Sequence, residues 1–304
     1  MPGGILLINK PAGVRSSVCC AIAKRRLNNR YKIGHGGTLD STAEGLLILL
    51  VGGATRASDF VMSLPKVYDA LFCLGEERST DDYTGDIVFS GNVPDSAEGA
   101  IRALLPSFYG VRMQTPPDIS AVKVKGKRAH KLTRSGEVPA LCGRPVFIRF
   151  ISLQAGQGRQ DVFRLRIICG KGTYVRSVVR DIGRLLGCGA HIVRLVRESI
   201  GTFSLESALS YESLEDEGLD LLSKTRPLSS LAENYYRYEA GLEETKLLWS
   251  GVAVKLCSLG LSQAGTVSPQ YGTVVLGKGL FSFGHILPGA LFKPVTNISA
   301  EGTE

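Results

Sequence analysis

Residues 46–51, Leu-Leu-Ile-Leu-Leu-Val, form an unbroken apolar run directly after a glycine-dense stretch. A short apolar run bounded by turn residues reads as a strand buried in a core, because a strand with one face in water alternates polar and apolar side chains. This commits the chain to a globular fold built around an internal sheet. The stretch before the run is Gly34-His35-Gly36-Gly37-Thr38-Leu39-Asp40-Ser41-Thr42-Ala43-Glu44-Gly45, with four glycines in twelve residues. Glycine lets the backbone take positive φ and approach a ligand closely, so this loop is able to set Asp40 at a fixed place beside a substrate. The same composition also makes an ordinary turn before a strand, and the loop alone does not choose between the two.

The chain has 304 residues, enough for one large domain and a small one. Lys and Arg outnumber Asp and Glu by 36 to 28, an excess that suits a polyanionic partner without identifying it. The seven cysteines are odd in number, scattered and without C-x-x-C spacing, so they read as reduced thiols in a cytosol. None of the four histidines stands at a metal-ligand spacing, and no metal is expected. The N-terminal apolar run at residues 5–8 is too short for a signal-peptide core or a membrane span, which predicts a cytoplasmic protein with no membrane partner.

Residues 5–8 predict a buried strand stopped by Lys10-Pro11, and Ser16-Ser17 opens a helix with Lys24, Arg25, Arg26 and Arg30 toward its end. A helix is expected from Gly52 to Leu64, closed by Pro65, then a strand over 66–74. Asp95-x-x-Glu98 resembles a capping box ahead of a helix reaching Leu105. Alternation predicts a strand pair over 146–153 and 162–168. Thr173 is then the expected N-cap of a helix running to Leu186 with an apolar stripe of Val175, Val178, Val179, Ile182, Leu185 and Leu186. Strands and helices mixed without a regular β-α-β repeat indicate an α+β fold, and glycine-punctuated short strands after about residue 235 indicate a small β-rich domain. The expected organisation is residues 1–235 as one domain and 236–304 as the other.

Several blocks then fall in order. These are Ile5-Leu6-Leu7-Ile8-Asn9-Lys10-Pro11, Gly34-His35-x-Gly37-Thr38-Leu39-Asp40 and Lys66-x-Tyr68. Next come Gln114-x-Pro116-Pro117-x-x-Ser120-Ala121-x-Lys123-x-x-Gly126-x-Arg128-Ala129 and Lys171-Gly172-Thr173-Tyr174-Val175-Arg176-Ser177. Cys188-Gly189-Ala190-His191, with Leu195 and Arg197, closes the set. Together they resemble the bacterial TruB family of tRNA pseudouridine synthases over roughly residues 4–235. The resemblance implies a pseudouridine synthase fold, with a mixed, mainly antiparallel central sheet flanked by helices and a C-terminal PUA-like RNA-binding domain. It implies a stand-alone, monomeric enzyme that uses no cofactor and no obligatory protein partner. Its substrate would be the T-arm of tRNA, whose T-loop uridine at position 55 becomes pseudouridine.

By the same resemblance Asp40 is the essential carboxylate and Arg176 its ion-pair partner. Tyr68 is the stacking platform, Tyr174 and Leu195 line the pocket, and His35 inserts into the RNA loop. Independent chemistry agrees on Asp40: detaching a base from C1′ without hydrolysis needs a group that traps the sugar or removes a sugar proton, and an aspartate does either. A nearby guanidinium would keep such a carboxylate ionised. Base–aromatic stacking, at ~1–3 kcal/mol per base, would offset much of the unstacking of a flipped uridine. Lys123, Lys125, Lys127, Arg128 and Lys131 stand in a run of cations without an acid and are the expected phosphate contacts.

Gly36 stands where the family usually has threonine and Ser41 where it usually has proline. Extra backbone freedom at those two positions predicts a looser Asp40. That expectation motivates a second reading, a tRNA-folding chaperone that binds RNA with weak or no catalysis.

Overall fold

The structure is a computed structural model that describes residues 3–120, 122–124, 127–128, 141–154, 160–256 and 273–300. The chain divides into two compact units, one of residues 1–65 with 198–304 and the other of residues 66–197.

The first unit begins with β1 (Gly4–Lys10), α1 (Ser16–Arg26), β2 (Ile33–His35) and β3 (Glu44–Val51), followed by a 3-10 turn, Gly52–Ala57, and α2 (Ser58–Ser63). β3 lies antiparallel to β1, with Gly4 opposite Val51 and Lys10 opposite Gly45, and β2 pairs with Leu49, Leu50 and Val51 of β3. The apolar run of β3 is unbroken because both its faces are covered. Leu46, Ile48 and Leu50 enter a core with Ile5, Leu7, Phe60 and Val61, while Leu47, Leu49 and Val51 enter another with Leu6, Ile8, Cys19 and Ile22. All six side chains from Leu46 to Val51 are fully buried, and burying one such side chain contributes ~1.5–3 kcal/mol. A one-residue slip against β1 would exchange the two faces and misfit both cores.

In the second unit the elements are β4 (Lys66–Leu74), β5 (Glu76–Arg78), β6 (Ile87–Ser90), α3 (Ala97–Leu104), β7 (Gly110–Gln114), β8 (Lys123–Val124), β9 (Lys127–Arg128), β10 (Arg144–Gln154), β11 (Val162–Cys169), α4 (Val175–Leu185) and β12 (Ala190–Ile200). β4, β11, β10 and β7 pair in that order, all antiparallel. Alternate residues of β11, Phe163, Leu165 and Ile167, are buried, as a half-buried strand requires. On β10 the buried set steps from Ile148 to Ile151, and the register shift between Ile148 and Phe150 accounts for that odd spacing.

The first unit resumes with β13 (Phe203–Ser204), α5 (Tyr211–Glu215), α6 (Ser229–Ala232), β14 (Tyr236–Glu239), α7 (Leu242–Trp249), β15 (Val254–Lys255), β16 (Thr273–Gly277), β17 (Leu280–Leu287) and β18 (Leu291–Ser299). Its C-terminal strands form a five-stranded sheet in the order β14-β16-β17-β18-β15. One face of this sheet buries Val275, Leu280 and Phe292 with Leu248 of α7. The other sends Val274, Phe283 and Ile298 into the core shared with β3. The fold is α+β with a β-rich C-terminal part, and the compact units separate near residues 65 and 197.

Several helix ends differ from their sequence reading. α1 opens at Ser16 as expected, and the Ser16 hydroxyl bonds to Leu39. α1 stops at Arg26, so Arg30 lies beyond it. The segment after Gly52 starts as a 3-10 turn, since it opens on paired glycines that favour tight turns over a regular α-helix. Asp95 does not cap α3, which begins at Ala97, and Glu98 instead pairs with Arg102 at 2.8 Å. Thr173 is displaced from the N-cap by Tyr174 because its hydroxyl donates to Gly170 O, at 3.1 Å. Leu185 is 58 % exposed and falls off the apolar stripe of α4.

Candidate active site

Asp40 lies half-buried in the loop 36–43 that joins β2 to β3. Three residues between the end of β1 and the start of α1, Lys10, Gly13 and Ser16, hold that loop by its backbone. Ser16 Oγ donates to Leu39 O at 2.8 Å and accepts from Leu39 N at 3.0 Å. Gly13 N donates to Ser41 O at 2.7 Å. Lys10, with no solvent exposure, spreads its ammonium over three carbonyls: Pro11 O at 2.8 Å, Val14 O at 2.8 Å and Ala43 O at 2.5 Å. An ammonium has three protons, so this set uses all of them, which lets a buried lysine remain in a closed core. The residues on either side of Asp40, and Ala43 beyond them, are therefore tied down.

The two positions expected to loosen Asp40 do not do so by the route anticipated. Ser41 is anchored through its carbonyl. Gly36 has no positive φ; a Cβ there would lie 2.9 Å from Val61 Cβ and nearer still to its Cγ1, and Gly36 N donates to Ile48 O at 2.8 Å. The missing side chain makes room for Val61, which is fully buried. Gly37 is the loop glycine that needs its conformational freedom, at φ 118°. His35, the last residue of β2, sits opposite Leu49 and is half-buried.

The second unit carries Tyr68, Tyr174, Arg176 and Leu195. Tyr68 stands on β4 opposite Ile167 and is half-buried. Lys66, two residues before it and so on the same face of the strand, is buried. Burial pushes its ammonium down to about 7, and the Arg197 guanidinium adds to the effect. Tyr174 occupies the N-cap of α4, where the Gln114 side chain grips its main chain: Gln114 Oε1 accepts from Tyr174 N at 2.9 Å and Nε2 donates to Tyr174 O at 3.1 Å. Arg176 is 4 % exposed, with Nη1 donating to Thr80 O at 2.8 Å and Nη2 to Ile119 O at 3.0 Å. One turn on, Arg180 pairs with Asp81 at 2.8 Å and donates to Thr115 O at 2.8 Å. Leu195, on β12, is buried.

The model for the N-terminal domain of TruB family pseudouridylate synthases matches residues 24–175, and that for the tRNA pseudouridylate synthase B C-terminal domain matches residues 176–231. The chain belongs to the TruB family. Its reaction is accordingly the isomerisation of uridine to pseudouridine. Proteins described as tRNA pseudouridine synthase B from Bartonella henselae and Bartonella quintana are each 39% identical to it. The first match covers 80% of this chain and 75% of the relative, the second 84% and 92%. The corresponding Rhodopseudomonas palustris protein is 45% identical over 70% of this chain, which spans 57% of that relative's length. Among solved structures, one described as a Cbf5-Nop10-Gar1 complex superposes with a TM-score of 0.71 at 22% identity, over 99% of this chain and 86% of that one, a likeness of fold.

Within this TruB chain the expected phosphate contacts are described only in part. Lys123 pairs with Arg128 and Val124 with Lys127 in the short ribbon β8–β9, while Lys125 and Lys131 lie outside the described residues. Among the described residues no helix is long and apolar enough to cross a membrane.

The sequence reading gives no contact role to Lys10, Ser16, Val61 or Gln114. Lys10 and Gln114 stand there in the family-like blocks, but the groups they bind lie far along the chain.

Proposed function

We propose that this TruB family member is a tRNA pseudouridine synthase acting on the T-loop uridine at position 55 in the T-arm, with Asp40 as its essential carboxylate. The observation that carries the reading is the immobilised backbone around Asp40, tied at Leu39, Ser41 and Ala43, which suits a carboxylate that must meet one sugar carbon. Asp40 either attacks C1′, forming an ester as the N1–C1′ bonding pair leaves with uracil, or takes a sugar proton as that bond breaks. The uracil turns within the site and C5 bonds to C1′ as the ester bond breaks or the sugar proton returns; the proton on C5 then leaves and N1 gains one. Atoms balance without water, metal or redox cofactor. Arg176 is the ion-pair partner of the carboxylate, Tyr68 stacks on the flipped base, Tyr174 and Leu195 line the pocket, and His35 keeps the RNA loop open. Lys123, Lys125, Lys127, Arg128 and Lys131 contact phosphates, and the C-terminal sheet adds RNA-binding surface. The protein works as a cytoplasmic monomer.

Asp40→Asn is expected to abolish pseudouridine formation on a T-arm RNA while leaving binding nearly unchanged. Turnover by that variant would overturn the assignment. The tRNA-folding chaperone reading drew on a looser loop, and the contacts at Leu39, Ser41 and Ala43 weigh against it.

A further inference from the structure

We infer that Gln114 is a positioning residue for this reaction, holding the Tyr174 main chain so that Tyr174 lines the base pocket and Arg176 serves the carboxylate in one fixed arrangement. The inference rests on the proposed roles of Tyr174 and Arg176. Its grounds are geometric. A primary amide carries one acceptor and one pair of donors in a single plane, so it pairs with the N–H and C=O of one residue as a neighbouring strand would. Gln114 makes that double contact with Tyr174, sixty residues away, at 2.9 and 3.1 Å. It is 2 % exposed, so both bonds are sheltered from competing water.

The clamp ties a rigid element to the start of a helix. Gln114 is the last residue of β7 and pairs across to Arg144 of β10, so its backbone belongs to the sheet. Tyr174 is the N-cap of α4 and receives no side-chain cap from itself, at a helix end where backbone N–H groups lack intrahelical acceptors. The residues after Gln114 continue the attachment. Thr115 O accepts from Ser177 Oγ at 2.9 Å and from Arg180 Nη2 at 2.8 Å, and Ile119 O accepts from Arg176 Nη2 at 3.0 Å. The start of α4 is thus fastened at Tyr174, Arg176, Ser177 and Arg180. Gln114 is the side chain in this set that fixes the Tyr174 backbone, the point from which its ring extends.

The test combines turnover with amide exchange in the full-length protein. Gln114→Leu removes both bonds; Gln114→Glu, when ionised, keeps the acceptor for Tyr174 N–H and loses the donor to its carbonyl. The expected result for Gln114→Leu is a fall in kcat on the order of 10²-fold with KM for a T-arm RNA little changed, the signature of a misplaced reacting geometry. The Tyr174 amide is expected to exchange faster in Gln114→Leu and to stay slow in Gln114→Glu, which is expected to keep an intermediate kcat. An unchanged kcat, a loss confined to KM, or an unaltered Tyr174 exchange rate in Gln114→Leu would each overturn the inference. If Gln114→Leu does not fold, the split between kcat and KM in Gln114→Glu decides. Asp40→Asn is run alongside: its turnover would remove the proposed function itself, whereas an inactive Asp40→Asn beside fully active Gln114 variants removes only the positioning role.

Discussion

Replacing Gly36 by alanine tests whether the loop that holds Asp40 is seated by packing. The new Cβ would stand 2.9 Å from Val61 Cβ, closer to Val61 Cγ1, and 3.6 Å from Ile48 Cβ. Carbon atoms pack comfortably at about 3.5–4.0 Å, so Val61 or the loop must move by roughly an ångström. Val61 is fully buried among Phe60, Leu64 and Ile48, which leaves it little room to retreat. Overpacking of this kind costs about 1–3 kcal/mol, and the reduced entropy of the unfolded chain returns about 0.4–1 kcal/mol, so a net loss of about 1–2 kcal/mol is expected. Equilibrium urea denaturation of Gly36→Ala, Val61→Ala and the double variant measures it. Val61→Ala opens the space the new methyl needs, so the double variant is expected to be more stable than the sum of the single effects by about 1 kcal/mol or more. Strict additivity would refute the packing argument. The same cycle read in kcat reports whether the strain reaches Asp40. Gly36→Thr, which restores the residue usual in the family, is expected to be tolerated only beside Val61→Ala.

Lys10→Met is expected to lower kcat more than 10-fold and to speed amide exchange across residues 39–43, because the carbonyls of Pro11, Val14 and Ala43 lose their common donor; unchanged exchange there would exclude a holding role. Lys66 gives a pH signature. Its ordinary value near 10.5 falls to about 7 in the folded protein, so between those values the unfolded chain binds a proton that the folded one does not. The burial penalty is present in full below pH about 7 and vanishes as pH rises through that window, so stability from this group increases with pH. Urea titrations from pH 6.5 to about 10 are expected to show that rise in the native sequence and not in Lys66→Met; identical pH dependence in both would show that Lys66 is not the source.

Much of the first unit was legible locally. The apolar run of β3 announced a strand covered on both faces, and the structure supplies both cores. Alternation found β10 and β11 to within a few residues, although the register shift near Phe150 left no mark in the pattern. The start of α1 at Ser16 was legible, but the caps were read less well. Asp95 and Thr173 have side chains that serve as caps, yet a hydroxyl or carboxylate bonds to whichever backbone group folding brings near; for Thr173 that group is Gly170 O.

What the sequence determines by itself is therefore whatever rests on neighbours within a few residues: the strand periods, the glycine loop with Asp40, and the order of blocks that assigns the chain to its family. Only the tertiary structure decides what Lys10, Gly36 and Gln114 do. Lys10 reaches Ala43 across 33 residues, Gln114 reaches Tyr174 across 60, and Gly36 matters because Val61 fills the space beside it. The physical reason is that burial forces each polar group to find a partner and each void to be filled, and those demands are met by whatever the fold brings near, at any distance along the chain.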